Sequence, residues 1–250
     1  MKKKYLAIIS VVTVTATALF ADERIWNGAG ANAFASNPTN WAGETAPTTN
    51  DAIVLNADQH KSMIWNLDFP VASWTQIGYL GTVTVDTVYG ATGLTELVIA
   101  GDCVISNGVW TQTANPTGTS EVKRLRVRIG GDLIVGSNAT IDVTGKGYAA
   151  GYGTGKPLAG SGGGASHGGI GSLTDGTGYG PCYGSIVAPT NLGSGGAGSQ
   201  ITAGGGAILL AVAGEARLDG SVLAEGQYVL NSLASHRNSR IPSGFRIQFV

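Results

Sequence analysis

The stretch Leu125-Arg126-Val127-Arg128-Ile129-Gly130-Gly131-Asp132-Leu133-Ile134-Val135 combines two strand-like runs with a turn of glycine and aspartate between them. Nearly the same design recurs at residues 97–105 and 208–218. A single unit of this kind cannot bury its own apolar face, and stacked repeats of this size are the physical basis of a solenoid. The sequence therefore predicts an all-β fold, a right-handed parallel β-helix with a glycine-rich loop insert.

The turns of these units carry a second signal. Glycine tolerates positive φ at a corner, and a neighbouring acidic side chain can accept hydrogen bonds from nearby backbone amides. After two of the units, residues 139–145 and 221–226 add a further turn and strand. Apart from the N-terminal apolar run, no window keeps a helical period for the ~10 to 12 residues that a helix requires. We therefore expect strands and turns almost throughout.

A β-sandwich is the alternative fold. Asn-Gly and Asp-Gly dipeptides are typical of two-residue turns in antiparallel hairpins. Asp219-Gly220 lies where such a hairpin could form, and further dipeptides occupy residues 27–28, 107–108 and 175–176.

The N-terminus has the features of a secretory signal peptide. Three lysines at residues 2–4 precede an apolar run at residues 5–19, and small residues offer cleavage after Ala18 or Ala21. The apolar run is shorter than the roughly 18 to 20 residues that span a bilayer. We predict a secreted or cell-surface protein without a membrane span after cleavage; an uncleaved anchor is the alternative.

Changes of composition divide the chain into segments. Residues 145–206 hold more than half of the 40 glycines and few large apolar side chains, so we expect loops laid against the β-helix or left mobile, anchored by Tyr148, Tyr152, Tyr179 and Tyr183. The predicted segments are a signal peptide (1–21), a cap with the first β-helix coils (22–144), the glycine-rich insert (145–206), a further coil (207–226) and an atypical tail (227–250).

The charge balance excludes some partners. The chain has 15 basic and 16 acidic residues, and loss of the three signal lysines leaves it mildly acidic. Nucleic acid needs a concentrated basic patch, so we do not expect it as a partner. Charged residues are only 12% of the chain, a low share that is typical of secreted adhesive and structural β-proteins.

Two enzyme-like motifs lie in the insert. Gly164-Ala165-Ser166-His167-Gly168 matches a nucleophile elbow, and residues 193–198 match a dinucleotide-binding loop. Dense glycine produces such matches by chance, and neither stands between a strand and a helix. We predict no enzymatic activity, no catalytic residues, no cofactor and no metal.

Four aspartates could form paired carboxylates like those of polysaccharide-cleaving β-helices. We favour a turn role for each of them, namely Asp102, Asp132, Asp142 and Asp219.

Cys103 and Cys182 could form one disulfide in an oxidising compartment. Cys103 lies inside a strand-like run, which favours a small, buried, unpaired side chain over the disulfide. Neither cysteine has a second cysteine or a histidine at metal-ligand spacing.

Trp26 and Trp41 are the candidate ligand-binding residues. Exposed tryptophan with asparagine can stack on a sugar and bond to its hydroxyls, which makes a glycan site conceivable. The alternative is an aromatic cap over the open end of the β-helix.

Two strings of residues resemble modules of large secreted bacterial surface proteins, including those with autotransporter-type β-strand repeats. Trp26-Asn27-Gly28-Ala29-Gly30, Asn37-Pro38-Thr39-Asn40-Trp41 and Asp51-Ala52-Ile53-Val54-Leu55 resemble their N-terminal module. Gly130-Gly131-Asp132-Leu133, residues 141–148, Ser166-His167-Gly168-Gly169, residues 189–196 and Gly204-Gly205-Gly206-Ala207-Ile208 resemble their glycine-rich β-helix module.

The resemblance implies a secreted or cell-surface structural or adhesive β-solenoid, with cell-surface glycans or other envelope proteins as partners. A carbohydrate-binding module and a degenerate polysaccharide lyase or hydrolase are the alternatives. One departure is that the repeat pattern stops after Gly226. We expect the tail to be a capping segment or the product of a truncated reading of a longer gene.

Overall fold

Parallel β-strands form nearly all of the regular structure. The computed structural model describes residues 21–86, 96–158, 163–171, 178–185, 190–197 and 202–227, and the backbone of residues 89–90, 93–94 and 245–249. The predicted signal peptide lies, except for Ala21, outside these residues. Within the described part of the chain there is no α-helix, and no helix is long and apolar enough to cross a membrane.

Most strands are short and follow the predicted runs. Two 3-10 turns, Pro38–Asn40 and Ala42–Glu44, precede most of them. The strands are β1 (Glu23–Ile25), β2 (Ala52–Leu55), β3 (Met63–Trp65), β4 (Ser73–Gln76), β5 (Thr82–Val85), β6 (Tyr89–Gly90), β7 (Gly93–Leu94), β8 (Leu97–Ile99), β9 (Cys103–Gln112), β10 (Leu125–Ile129), β11 (Leu133–Asp142), β12 (Ile208–Val212), β13 (Ala216–Leu218), β14 (Ser221–Leu223) and β15 (Phe245–Phe249).

Most strands stack in three columns, within which each strand pairs parallel to its neighbour. Column one contains β8, β10, β12 and β15. Column two contains β1, β2, β4, the first half of β9, the first half of β11, and β13. Column three contains β3, β5, the second halves of β9 and β11, and β14. Strands β6 and β7 form a separate antiparallel pair.

The three predicted strand-turn-strand units lie directly on one another. In column one, Val127 pairs with Leu97 on one side and with Leu210 on the other. In column two, Leu133 pairs with Cys103 and with Ala216. The all-β prediction is confirmed, and the sheets of the three columns are parallel.

The antiparallel β-sandwich is wrong for the strands of the three columns, which all pair in parallel. Asp219-Gly220, the proposed hairpin turn, lies between β13 and β14. These two strands do not pair with each other, because both pair with β11. The dipeptide therefore forms a corner between columns two and three.

Alternating side chains of all three columns form one apolar core. Strands such as β2, β4 and β5 alternate between partly buried and buried positions, as expected when one sheet face is packed. Inside the core, the ring of Trp74 packs edge to face against Trp65 and Trp110, at centroid distances of 5.3 and 5.2 Å. Trp110 Nε1 donates to Gln76 Oε1 over 2.9 Å.

The indole N–H groups of Trp65 and Trp74 are buried without a hydrogen-bond acceptor. Edge-to-face packing brings ring edges against aromatic faces, which are weak acceptors for N–H groups. Of the three stacked rings, Trp65, Trp74 and Trp110, only that of Trp110 donates its N–H to a side-chain acceptor.

The corners between columns one and two show why glycine and aspartate recur there. Asp102 Oδ1 accepts a hydrogen bond from Asp132 N over 2.9 Å, and Asp132 Oδ1 accepts one from Glu215 N over 2.8 Å. Each carboxylate therefore binds an amide of the neighbouring strand-turn-strand unit, as the sequence indicated.

Glycine has a different role at these corners from the one predicted. The glycines at these corners do not have positive φ; they are Gly101, Gly130, Gly131 and Gly214. Instead, a Cβ at Gly131 would lie 2.1 Å from Asp102 Oδ1, and one at Gly214 would lie 2.2 Å from Asp132 Oδ1. Glycine is required because the stacked strand-turn-strand units approach each other closely.

The glycine-rich insert leaves the stack after β11 and returns to it at β12. Its described segments are fixed by backbone hydrogen bonds, including Gly147 N to Gly204 O (2.8 Å) and Tyr148 N to Gly193 O (3.0 Å). A Cβ at Gly204 would lie 1.9 Å from Gly193 O. These segments pack backbone against backbone, at distances that only glycine permits.

The two cysteines are unpaired, so the disulfide alternative is wrong. Cys103 is buried in the core, whereas Cys182 is exposed on the insert.

The C-terminal tail has more repeat character than its sequence indicated. Strand β15 pairs parallel with β12, from Ile208 with Phe245 to Val212 with Phe249. It therefore extends column one by one strand.

Candidate functional site

The two candidate sugar-binding tryptophans are buried. Trp26 and Trp41 expose 1% and 0% of their surface, and their rings pack edge to face at 5.3 Å. Trp26 Nε1 donates to Lys61 O over 2.9 Å, and Trp41 Nε1 donates to Ala35 O over 2.7 Å. Stacking on a sugar needs an exposed ring face, and neither residue offers one here. The placement agrees with the alternative interpretation, an aromatic cap.

The polar residues of the same motif hold the backbone of its loop. Asn40 is fully buried; its Nδ2 donates to Asn32 O and Phe34 O, and its Oδ1 accepts from Gly30 N. Lys61 Nζ adds hydrogen bonds to the carbonyls of Gly28 and Gly30. The side-chain amide of Asn40, which could have bound sugar hydroxyls, is therefore occupied within the protein.

Asp51 is a buried carboxylate that joins the cap to the first strands. It accepts hydrogen bonds from Arg24 Nε over 2.7 Å and from Thr48 N over 2.8 Å. Burial raises the pKa of Asp51, but the hydrogen bonds from Arg24 and Thr48 outweigh burial and hold that pKa below its usual value. These contacts give Asp51 a structural role.

Ser166, at the centre of the nucleophile-elbow match, is enclosed by the insert. It exposes 1% of its surface; its Oγ donates to Gly180 O over 2.6 Å and accepts from Gly171 N over 3.0 Å. The neighbouring His167 packs its ring edge to face on Tyr183 at 4.8 Å. The Ser166 hydroxyl is held between two backbone groups and links segments of the insert.

Two of the four predicted tyrosine anchors are placed as expected. Tyr148 is buried at 7% exposure, and Tyr183 Oη donates to Leu192 O over 2.5 Å and accepts from Ser194 Oγ over 2.8 Å. Burial raises the pKa of Tyr183 to about 12. Tyr152 and Tyr179 are instead 36% and 47% exposed, so the anchor prediction is wrong for these two.

Three of the four aspartates considered as carboxylate pairs lie between strands, and Asp142 is the last residue of β11. Asp102 and Asp132 bind amides of the neighbouring strand-turn-strand unit, Asp142 Oδ1 accepts from Thr144 N over 2.8 Å, and Asp219 pairs with Arg217 at 2.7 Å. Across the described residues, no three side chains of His, Cys, Asp or Glu converge as metal ligands.

Three large apolar side chains on the insert are exposed, and sequence reasoning missed them. We name the side chains of Leu158, Ile170 and Tyr179 the insert patch; they expose 62%, 64% and 47% of their surface. The sequence feature that could have indicated their exposure is the presence of single large apolar residues among glycines, because no periodic pattern assigns such residues to a core.

A scan against protein-family models and searches of curated proteins and solved structures find no match for this chain.

Proposed function

We propose that the chain is an exported, non-catalytic structural or adhesive protein, built as a right-handed parallel β-helix whose three strand columns enclose one core. The observation that carries the proposal is the in-register stacking of the units at 97–105, 125–135 and 208–218. Elongated stacks of this kind present a long, regular surface and suit scaffolding or attachment.

A single core supports the closed β-helix. One cluster of buried residues includes Ile129 from column one, Trp74 from column two and Ile141 from column three. Three sheets that did not enclose a common interior would have separate groups of buried residues. The aromatic pair Trp26 and Trp41 belongs to the same cluster, which supports its role as a cap.

The non-catalytic part of the proposal is supported by the reactive groups with the strongest motifs. The hydroxyl of Ser166 is bound to backbone groups on both sides, and the carboxylates of Asp102 and Asp132 bind amides at the corners. A nucleophile or general acid needs access to substrate. These groups are instead hydrogen-bonded to backbone groups of the protein itself.

Export is proposed from the lysines, apolar run and small residues at the N-terminus. Cell-surface glycans and other envelope proteins are the proposed partners.

The test combines location, architecture and activity. We expect the full chain, expressed in a bacterial host, to be recovered outside the cytoplasm with its N-terminus cleaved after Ala18 or Ala21, as read by mass spectrometry. An uncleaved cytoplasmic product would contradict export. A crystal structure in which the columns do not close around one core would contradict the β-helix. Release of reducing ends or unsaturated products from polysaccharides would contradict the non-catalytic role.

A further inference from the structure

The insert patch is assembled by hydrogen bonds between segments that are distant in sequence. Leu158 N donates to Gly178 O over 2.8 Å, so Leu158 lies beside the residue that precedes Tyr179. Both side chains are exposed there.

Ser166 connects the third member of the patch. Its hydroxyl accepts from Gly171 N and donates to Gly180 O. Ile170 precedes the first of these glycines, and Tyr179 precedes the second. One buried hydroxyl therefore holds the two exposed side chains on neighbouring segments.

Close backbone packing fixes the segments that carry the patch. A Cβ at Gly180 would lie 2.2 Å from Lys156 O, and one at Gly171 would lie 2.2 Å from Gly164 O. Segments in such contact cannot shift without breaking hydrogen bonds. The patch is thus arranged before any ligand arrives, which lowers the entropic cost of binding.

The size of the patch favours a small ligand over a protein. The exposed fractions of its three side chains correspond to roughly 400 Å² of mainly apolar surface, a size at which patches are often functional. A stable protein–protein interface buries about 800 Å² on each partner, so a second copy of the chain would find too little area. One or two sugar rings match it.

The chemistry of the patch also fits a sugar. A pyranose ring has an apolar C–H face and a rim of hydroxyls, and an aromatic side chain with a polar tip can contact both. Tyr179 provides such a ring, while Leu158 and Ile170 extend the apolar surface beside glycine backbone.

The charge of the insert favours neutral or acidic ligands over cationic ones. Among its described residues the formally charged side chains are Lys146 and Lys156, and its acidic residue, Asp175, lies outside them. This balance accepts neutral or acidic sugars. We propose that the insert patch is a polysaccharide-binding site in which Tyr179 stacks on a sugar ring. The inference rests on the proposed adhesive function and names the class of its ligand.

Native gel electrophoresis of the full mature chain tests the site, with soluble polysaccharide cast into the gel. Dextran, mannan, xylan and hydroxyethylcellulose form the neutral set; alginate and hyaluronate form the acidic set. At least one polysaccharide is expected to retard the protein. Tyr179→Ala should weaken that affinity about tenfold or more, whereas Tyr179→Phe keeps the ring and should retain binding.

Leu80→Ala is the matched control, because Leu80 is 64% exposed and lies outside the insert. It should bind like the wild type, and all variants should keep the wild-type circular dichroism spectrum. The inference is overturned if neither set retards the protein, if Tyr179→Ala migrates like the wild type, or if Leu80→Ala loses binding equally. Export and the β-helix would survive these results, because separate experiments test them.

Discussion

At the scale of single residues, the two cysteines differ in access to solvent. Burial raises the pKa of the Cys103 thiol, and Cys103 has no exposed surface, whereas Cys182 is exposed. Because a thiolate must form and meet the reagent, we expect a maleimide to label one thiol per native chain. Labelling of a second thiol should require denaturant, as counted by mass spectrometry.

Cys182→Ser should abolish native labelling, and Cys103→Ser, the matched variant, should leave it unchanged. Two reactive thiols in the native state would contradict the buried core position. No free thiol in denaturant without reductant would show a disulfide.

His167 gives the insert a dependence on pH. Burial lowers the pKa of His167, while a hydrogen bond with the Asn191 backbone opposes this shift. Since the native state favours the neutral ring, its stabilisation is complete above the unfolded pKa of about 6.5 and is lost as pH falls below that value. We expect faster amide exchange in the insert at pH 5 than at pH 8, after correction for intrinsic rates.

His167→Gln should flatten this dependence, because glutamine does not titrate and its amide can still donate to the Asn191 carbonyl. Corrected exchange that is equal at both pH values in the wild type would contradict the prediction.

At the scale of elements, the glycine segments depend on contacts that a single methyl group would block. A Cβ at Gly204 would lie 1.9 Å from Gly193 O, whereas one at Gly169 meets nothing within 4 Å. Gly204→Ala should therefore cost about 1 to 3 kcal/mol of unfolding free energy. Gly169→Ala, the control, should stay within about 0.5 kcal/mol. Urea titration measures both, and equal stabilities would contradict backbone-to-backbone packing.

The sequence predicted strands well because alternation and β-branched runs report burial on one face. It predicted the carboxylate at the corner, since aspartate has few other roles beside glycine in a turn. It did not predict why Gly131 is needed. Positive φ and close approach both select glycine, and only the stacked neighbour, Asp102, distinguishes them.

The candidate site was less predictable than the strands. The sequence favoured a cap for Trp26 and Trp41 but left a sugar platform open, because residue type does not reveal exposure. Long-range contacts decide this, such as that between Trp26 and Lys61. The insert patch was missed for the same reason, since Ser166 joins its members across the insert.

At the scale of the whole molecule, the insert is an excursion from a continuous stack. Val127 pairs directly with Leu210 although 83 positions separate them, and the strands on either side of the insert continue the same columns. The glycine content of the sequence predicted the insert. The sequence of the tail contains no repeat that would have predicted the pairing of β15 with β12. Any strand that can pair in parallel with the last strand of a column can extend that column. A strand therefore does not need to resemble the repeated units in sequence to join the stack.

Removal of the insert should leave the stack folded, because its ends are adjacent. Gly147 N donates to Gly204 O over 2.8 Å, so a linker of about four glycine and serine residues can replace residues 148–203 with little loop-closure cost. Keeping Lys146 preserves its carbonyl as an acceptor for Gln112 and Asn115. We expect cooperative thermal unfolding and a β-type circular dichroism spectrum. Trp74→Ala should instead cost about 3 to 5 kcal/mol, and a deletion variant less stable than Trp74→Ala would show that the insert is part of the core.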